Sequence, residues 1–222
     1  MKNKIFFLIL ISYTILQFFM WSAGHNWGGD FASYIMQSIA ISDGDTKNFF
    51  LKNSLTMSRS SNPLGPVNYP WGFPIMLAPF YKFFGLNIFL FKTLILASFI
   101  CFLAIIWNIF KNEFDTYERL IYVSIFAFNP YLLEFSNQIL SDIPFLLFST
   151  LSVYLLIKLQ KEKSINKAIL ISIVLGVCFM WSTAIRTSGI LLPFTYTIYL
   201  LLTLITNNFL LLRKLNLELL TL

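Results

Sequence analysis

Two carboxylates carry most of the chemistry this chain could perform. Asp30 lies in Trp27-Gly28-Gly29-Asp30-Phe31-Ala32-Ser33-Tyr34, just beyond a first apolar run. Asp142 lies in Ile139-Leu140-Ser141-Asp142-Ile143-Pro144-Phe145, at the mouth of another apolar run. An acid in such a place can bind a cation or act as a general base. Each acid also has a plainer use. Asp30 can cap a helix that begins at Phe31 by accepting a free backbone N–H, and Asp142 before Pro144 marks a good helix start. Gly28 and Gly29 favour a ligand beside Asp30, because they let backbone approach it without a side chain in the way. Were the two acids to meet, their repulsion would call for a shared proton or a cation. Hard oxygen ligands suit magnesium, manganese or calcium.

Three further polar residues belong to the same survey. Arg186, in Ala184-Ile185-Arg186-Thr187-Ser188-Gly189, either snorkels to the interface or offers its planar fork to a phosphate. Glu134 pairs with a base or assists the site. His25, the single histidine of the chain, reads as an interfacial polar residue, because no cysteine or second histidine supports a zinc centre. Cys101 and Cys178 lie inside apolar runs and read as small buried hydrophobes. No phosphate-binding glycine loop or nucleophile elbow is present.

The elements that must position these groups are membrane helices. The chain is 57% hydrophobic and 12% charged, with 25 phenylalanines among 222 residues. Soluble domains carry roughly a quarter charged residues. The fold class expected is therefore an all-α integral membrane protein, a single domain over 1–222. A crossing needs about 20 apolar residues, and about six candidates appear: 5–23, 93–110, 120–135, 143–158, 168–185 and 189–212. Asn129-Pro130 should kink the third. The first is read as an uncleaved anchor, because Trp21 makes a poor cleavage context before Ala23.

Basic residues then set the orientation. With alternating spans, Lys2, Lys4, Lys111, Arg119, Lys158, Lys161, Lys163, Lys167, Arg213 and Lys214 share one side. Lys47, Lys52, Arg59, Lys82, Lys92 and Arg186 fall on the other, mostly within one long loop, where charge counts less. Both termini are expected to be cytoplasmic, which sends Asp30, Glu134, Asp142 and Arg186 outward together. The net charge of +6 then serves topology and gives no reason to expect nucleic acid.

The outward loop, 24–92, is expected to hold interfacial helices. Phe31, Ile35 and Ile39 recur every four residues with Ala32, Met36 and Ala40 beside them, flanked by the more polar Ser33, Gln37 and Ser38. That pattern predicts a short helix in the interface plane, ended by the turn residues Ser42-Asp43-Gly44-Asp45. A polar stretch follows as far as Asn68. The aromatics and prolines of 69–81 suggest a second interfacial element.

With these residues located, the chain resembles the N-terminal half of GT-C superfamily glycosyltransferases. The resemblance is to the bacterial group (glycosyltransferase family 39) that includes protein mannosyltransferases and the aminoarabinose transferase of lipid A. Gly28-Gly29-Asp30-Phe31-Ala32-Ser33-Tyr34 resembles the first-loop acidic motif, and Tyr69-Pro70-Trp71-Gly72-Phe73-Pro74 through Phe84-Gly85 the Tyr-Pro-rich segment after it. Asn129-Pro130 through Asp142-Ile143-Pro144-Phe145 resembles the later acidic motif, and Arg186-Thr187-Ser188-Gly189-Ile190 the arginine-glycine motif. The resemblance implies sugar transfer from a polyprenyl-phosphate donor to a lipid, glycan or protein acceptor on the outer face of a bacterial inner membrane. It implies that Asp30 is the catalytic base or acceptor anchor, with Asp142 joining it through a divalent cation such as magnesium or manganese. Arg186 would hold the lipid phosphate, and Tyr34 and Tyr69 would touch substrate.

Two departures stand out. Many relatives carry a second acid directly after the first, where this chain has Phe31, and relatives are commonly about twice as long. A truncated product or half of a split enzyme is the corresponding expectation. A transporter or flippase subunit and a non-catalytic scaffold are the alternatives. A transporter would place ionisable groups mid-membrane, and a scaffold would tolerate Asp30→Asn.

Overall fold

The computed structural model describes residues 2–22, 24, 28–59 and 68–219. His25 and Trp27 lie outside them. The described residues form ten α-helices and one 3-10 turn. Four segments are long and apolar enough to cross a membrane: α5 (Ile88–Ile109), α8 (Asp142–Lys161), α9 (Ile165–Ile185) and the run Thr187–Thr206 that opens α10 (Leu191–Leu219). The protein is thus a multi-pass, all-helical membrane protein.

Two further segments pack lengthwise along α5. Helix α1 (Lys2–Met20) is antiparallel to it. Phe6 stacks on Trp107 at 4.7 Å between ring centroids, and Tyr13 meets Phe99 at 4.8 Å. At the far end Lys92 Nζ donates to the carbonyl of Ser22 at 3.0 Å. The third expected span is divided into α6 (Thr116–Ala127) and α7 (Pro130–Ser136). Asn129 caps α7 by accepting from Tyr131 and Leu132 N–H, and Pro130 begins it, so the helix breaks where a proline removes a donor. Together the two pieces run along α5 from one end to the other. Arg119 donates twice to the Trp107 carbonyl at one end of α5, and Asn137 meets Lys92 at the other.

Two of the basic residues counted for orientation are buried. Arg119 is tucked against the Trp107 ring, 3.8 Å from its centroid. Lys92 is 2% exposed, and its ammonium takes Ser22 O, Gly24 O and Asn137 Oδ1 at 3.0–3.3 Å. A buried cation is tolerable only when so surrounded. Lys92 thereby ties the exits of α1 and α7 to α5, immediately before the chain reaches Asp30. Of the cysteines, Cys178 is buried as expected, whereas Cys101 is exposed on the outer surface of α5; both are free.

The described part of the loop between α1 and α5 contains α2 (Gly29–Ser42), α3 (Thr46–Arg59) and α4 (Gly72–Phe84). Gly44, at φ +72°, makes the turn between α2 and α3 where the sequence placed it. Two expectations for α2 are corrected. Asp30 does not cap it: the helix starts a residue pair earlier, Gly28 is the N-cap, and Asp30 stands in the first turn. The polar flank also faces inward. Gln37 and Ser38 are fully buried and Met36 is half exposed, because α4 covers that flank and the Gln37 amide pairs with Tyr69. Helix α3, read as a polar stretch, is held by Phe49, which is buried and packs edge-on near Trp71.

Candidate active site

Asp30 and Arg186, from segments far apart in sequence, line one pocket of about 270 Å³ together with Tyr34, Tyr69, Pro70, Thr187 and Ser188. That volume sits at the lower edge of the roughly 300–1,000 Å³ common for small-molecule sites. The pocket lies where α2 meets the C-terminal end of α9.

Each wall has a cause. Tyr69 is fixed by Gln37, whose Nε2 donates to the Tyr69 carbonyl at 3.0 Å while its Oε1 accepts the Tyr69 N–H at 2.9 Å. A buried amide that satisfies both backbone groups of one residue behaves like a strand pair and costs no unpaired polar atom. Tyr34, 4% exposed, packs its ring against Tyr69 and Phe73, both at 5.1 Å between centroids. Its hydroxyl lies 2.9 Å from Ser141 Oγ, which links α2 to the start of α8.

Arg186 leaves the end of α9 in extended conformation, its N–H bonded to Ser182 O at 3.0 Å. Two glycines hold that end. A Cβ on Gly72 would stand 2.5–2.7 Å from backbone atoms of Ala184 and Ile185, and one on Gly189 would collide with the backbone of Ser182 and Thr183. Close approach, then, is why glycine occupies both positions. Gly72→Ala is expected to cost on the order of 1–3 kcal/mol, as overpacking does. It should lower the thermal midpoint and shift Arg186. Gly176→Ala, with nothing within 4 Å of its added methyl, serves as the control. An unchanged midpoint for Gly72→Ala would refute the clamp.

The second acid does not stand free. Asp142 Oδ1 accepts a hydrogen bond from Arg186 Nη1 at 2.5 Å, an ion pair whose side chains remain 37% and 40% exposed. Asp142 is the first residue of α8, with Ser141 as N-cap. The donor set therefore suits a divalent ion poorly. Asp142 already faces a full positive charge, and the described residues contain no group of three or more His, Cys, Asp or Glu that could hold a metal. Glu134 is exposed on α7, 3.5 Å from Gln138 Nε2, and does not line the pocket.

Electrostatics separate the roles within the pocket. Burial, and secondarily the charge of Asp30, pushes the Tyr34 phenol above its usual range, with the Ser141 hydrogen bond and Arg186 opposing. Burial followed by Asp30 does the same to Tyr69. Both phenols stay protonated at neutral pH, so they can donate and accept hydrogen bonds but cannot act as bases. Among the groups lining the pocket, Asp30 is the one carboxylate. Reading the sequence missed Ser141 and Gln37 as positioning groups, although Ser141 stood inside a quoted motif. Nothing local marked Gln37 as inward-facing.

The described residues thus form a helical membrane bundle with an acid, an arginine and two tyrosines lining one pocket at its rim. The chain belongs to the dolichyl-phosphate-mannose-protein mannosyltransferase family, whose model matches residues 68–222. It is thus a glycosyltransferase of the GT-C type, which sets aside the transporter and scaffold readings. The match includes Tyr69, Asp142 and Arg186, whereas Asp30 and Tyr34 precede it and take their place from the pocket alone. No curated protein and no solved structure matches the chain.

Proposed function

We propose that the protein transfers a sugar from a polyprenyl-phosphate donor to an acceptor hydroxyl, in the pocket lined by Asp30 and Arg186. The supporting observation is the convergence of one carboxylate and one guanidinium on a single cavity at the rim of the bundle. A polyprenyl tail stays in lipid while its phosphate rides at headgroup level, which is the depth of this rim. The acceptor oxygen attacks the anomeric carbon and its proton passes to Asp30. The bond between that carbon and the phosphate oxygen breaks, and the electron pair leaves with the polyprenyl phosphate. Arg186 offsets the charge that develops there, and Asp142 orients Arg186. This displacement needs no redox partner. Tyr34 and Tyr69 form the aromatic wall against which a sugar ring rests.

Lys4, Lys111, Lys158, Lys161, Lys163 and Lys167 gather at the opposite end of the bundle, which by the basic-residue rule supports cytoplasmic termini and a pocket on the outer side; the bacterial inner membrane is what the family resemblance implies. The test is transfer by purified protein in nanodiscs from a panel of polyprenyl-phosphate sugars and, separately, nucleotide sugars. Transfer from lipid-linked donors alone is expected. Transfer from a nucleotide sugar, or from neither class, would refute the donor assignment.

A further inference from the structure

The far end of the bundle holds a second cavity, of about 700 Å³, between the ends of α5, α8 and α9. We propose that this cavity, lined by Lys111, Lys158, Lys161 and Lys167, binds the phosphate headgroup of an anionic membrane lipid. It is distinct from the transfer pocket, because α8 carries Asp142 at one end and Lys158 and Lys161 at the other. Twenty residues of helix span about 30 Å, the thickness of the hydrocarbon layer, so the cavity sits at the opposite headgroup level.

The charge inside is unbalanced. Four lysines line the cavity against one carboxylate, Glu162. That carboxylate is committed elsewhere: its Oε1 accepts from the backbone N–H of Lys163 at 3.0 Å and of Ser164 at 2.8 Å. Lys161 lies 3.7 Å from Glu113, but both side chains are more than half exposed, and such a pair is readily exchanged for a better anion. Lys158 rests over the Tyr154 ring at 4.6 Å, which steers its ammonium along the cavity wall.

Lysines that serve topology alone need only flank the spans; here four of them line one cavity together with the apolar Leu155, Leu170 and Ile171. Leu170 and Ile171 line it, and from Leu170 the exposed stripe Leu170, Ile173 and Val177 continues down α9 toward the bilayer centre. A cationic cup above an apolar track matches a diacyl phospholipid, whereas a soluble phosphate has no use for the track. Basic pockets between helices on the cytoplasmic side are suited to anionic headgroups.

The full chain would be titrated with cardiolipin, phosphatidylglycerol, phosphatidylcholine and inorganic phosphate, with binding read by native mass spectrometry. The triple substitution Lys111→Gln, Lys158→Gln, Lys167→Gln would be compared with Lys4→Gln, Lys82→Gln, Lys163→Gln, which removes equal charge outside the cavity. At about 1 kcal/mol per lysine, the cavity triple should bind cardiolipin roughly a hundredfold more weakly than wild type, and the control triple should bind as wild type does. Equal loss in both triples, or equal binding of phosphatidylcholine, would overturn the site. Retention of inorganic phosphate as tightly as lipid would assign it to a soluble anion. A headgroup-photoreactive phosphatidylglycerol should crosslink wild type at the α8–α9 turn, which tests the site even if the cavity triple does not fold. Crosslinks confined to other segments would count against it.

Discussion

Asp30→Asn is expected to abolish most sugar transfer while leaving the protein folded. Loss of a positioned general base typically lowers rate by about 10²–10⁴-fold. Asparagine keeps the shape of the side chain and its hydrogen-bonding oxygen but cannot take a proton. The fold has little to lose. Asp30 contributes no N-cap bond, and a first-turn acid favours its helix by only about 0.3–1 kcal/mol through the dipole. The thermal midpoint should therefore move slightly while kcat collapses, with donor binding retained. Asp30→Ala with added formate separates a base from an anchor. A small carboxylic acid anion can accept the proton in the vacated space, so partial rescue identifies proton transfer. A variant that transfers at the wild-type rate, with expression confirmed, would remove Asp30 from the chemistry altogether.

What the sequence disclosed and what it withheld divide along the range of the interactions. Span positions depend on local hydropathy, and the break at Asn129-Pro130 and the turn at Gly44 depend on local backbone chemistry, so each was readable from a few adjacent residues. Charge bias placed Asp30, Asp142 and Arg186 on one side, and that grouping agrees with the packing. The pairing of Asp142 with Arg186 is different. It joins residues 44 positions apart through the meeting of two helix ends, and no spacing rule encodes such a meeting. The orientation of α2 was misread for the same reason. Gln37 looks like a solvated flank until Tyr69 supplies both of its partners. Gly72 and Gly189 are informative only once the end of α9 is seen between them. Helix α3 escaped because a mostly polar segment shows no stripe, although its Phe49 is buried.

A double-substitution cycle at Arg186 and Asp142 should show that the acid works through the arginine. Arg186→Met removes the charge that meets the leaving phosphate, and loss of one such preorganised donor costs about 10²–10³-fold in kcat. Asp142→Asn keeps Arg186 in place with a weaker partner, so a smaller loss of roughly tenfold is expected, about 1.4 kcal/mol. If Asp142 only orients Arg186, the double variant should be no slower than Arg186→Met alone, since residues acting as a unit are strongly non-additive. Stability gives the internal control. More than a third of each side chain is solvent-exposed, so the pair contributes at most about 1 kcal/mol to folding, and midpoints should differ little among the four proteins. A metal-ligand role predicts a different pattern. Asp142→Asn would then be the more damaging change, its loss would add to that of Arg186→Met, and activity would respond to added manganese or to a chelator. Non-additive losses that a chelator leaves unchanged would place the positive charge at this site on Arg186, with Asp142 as the group that aims it.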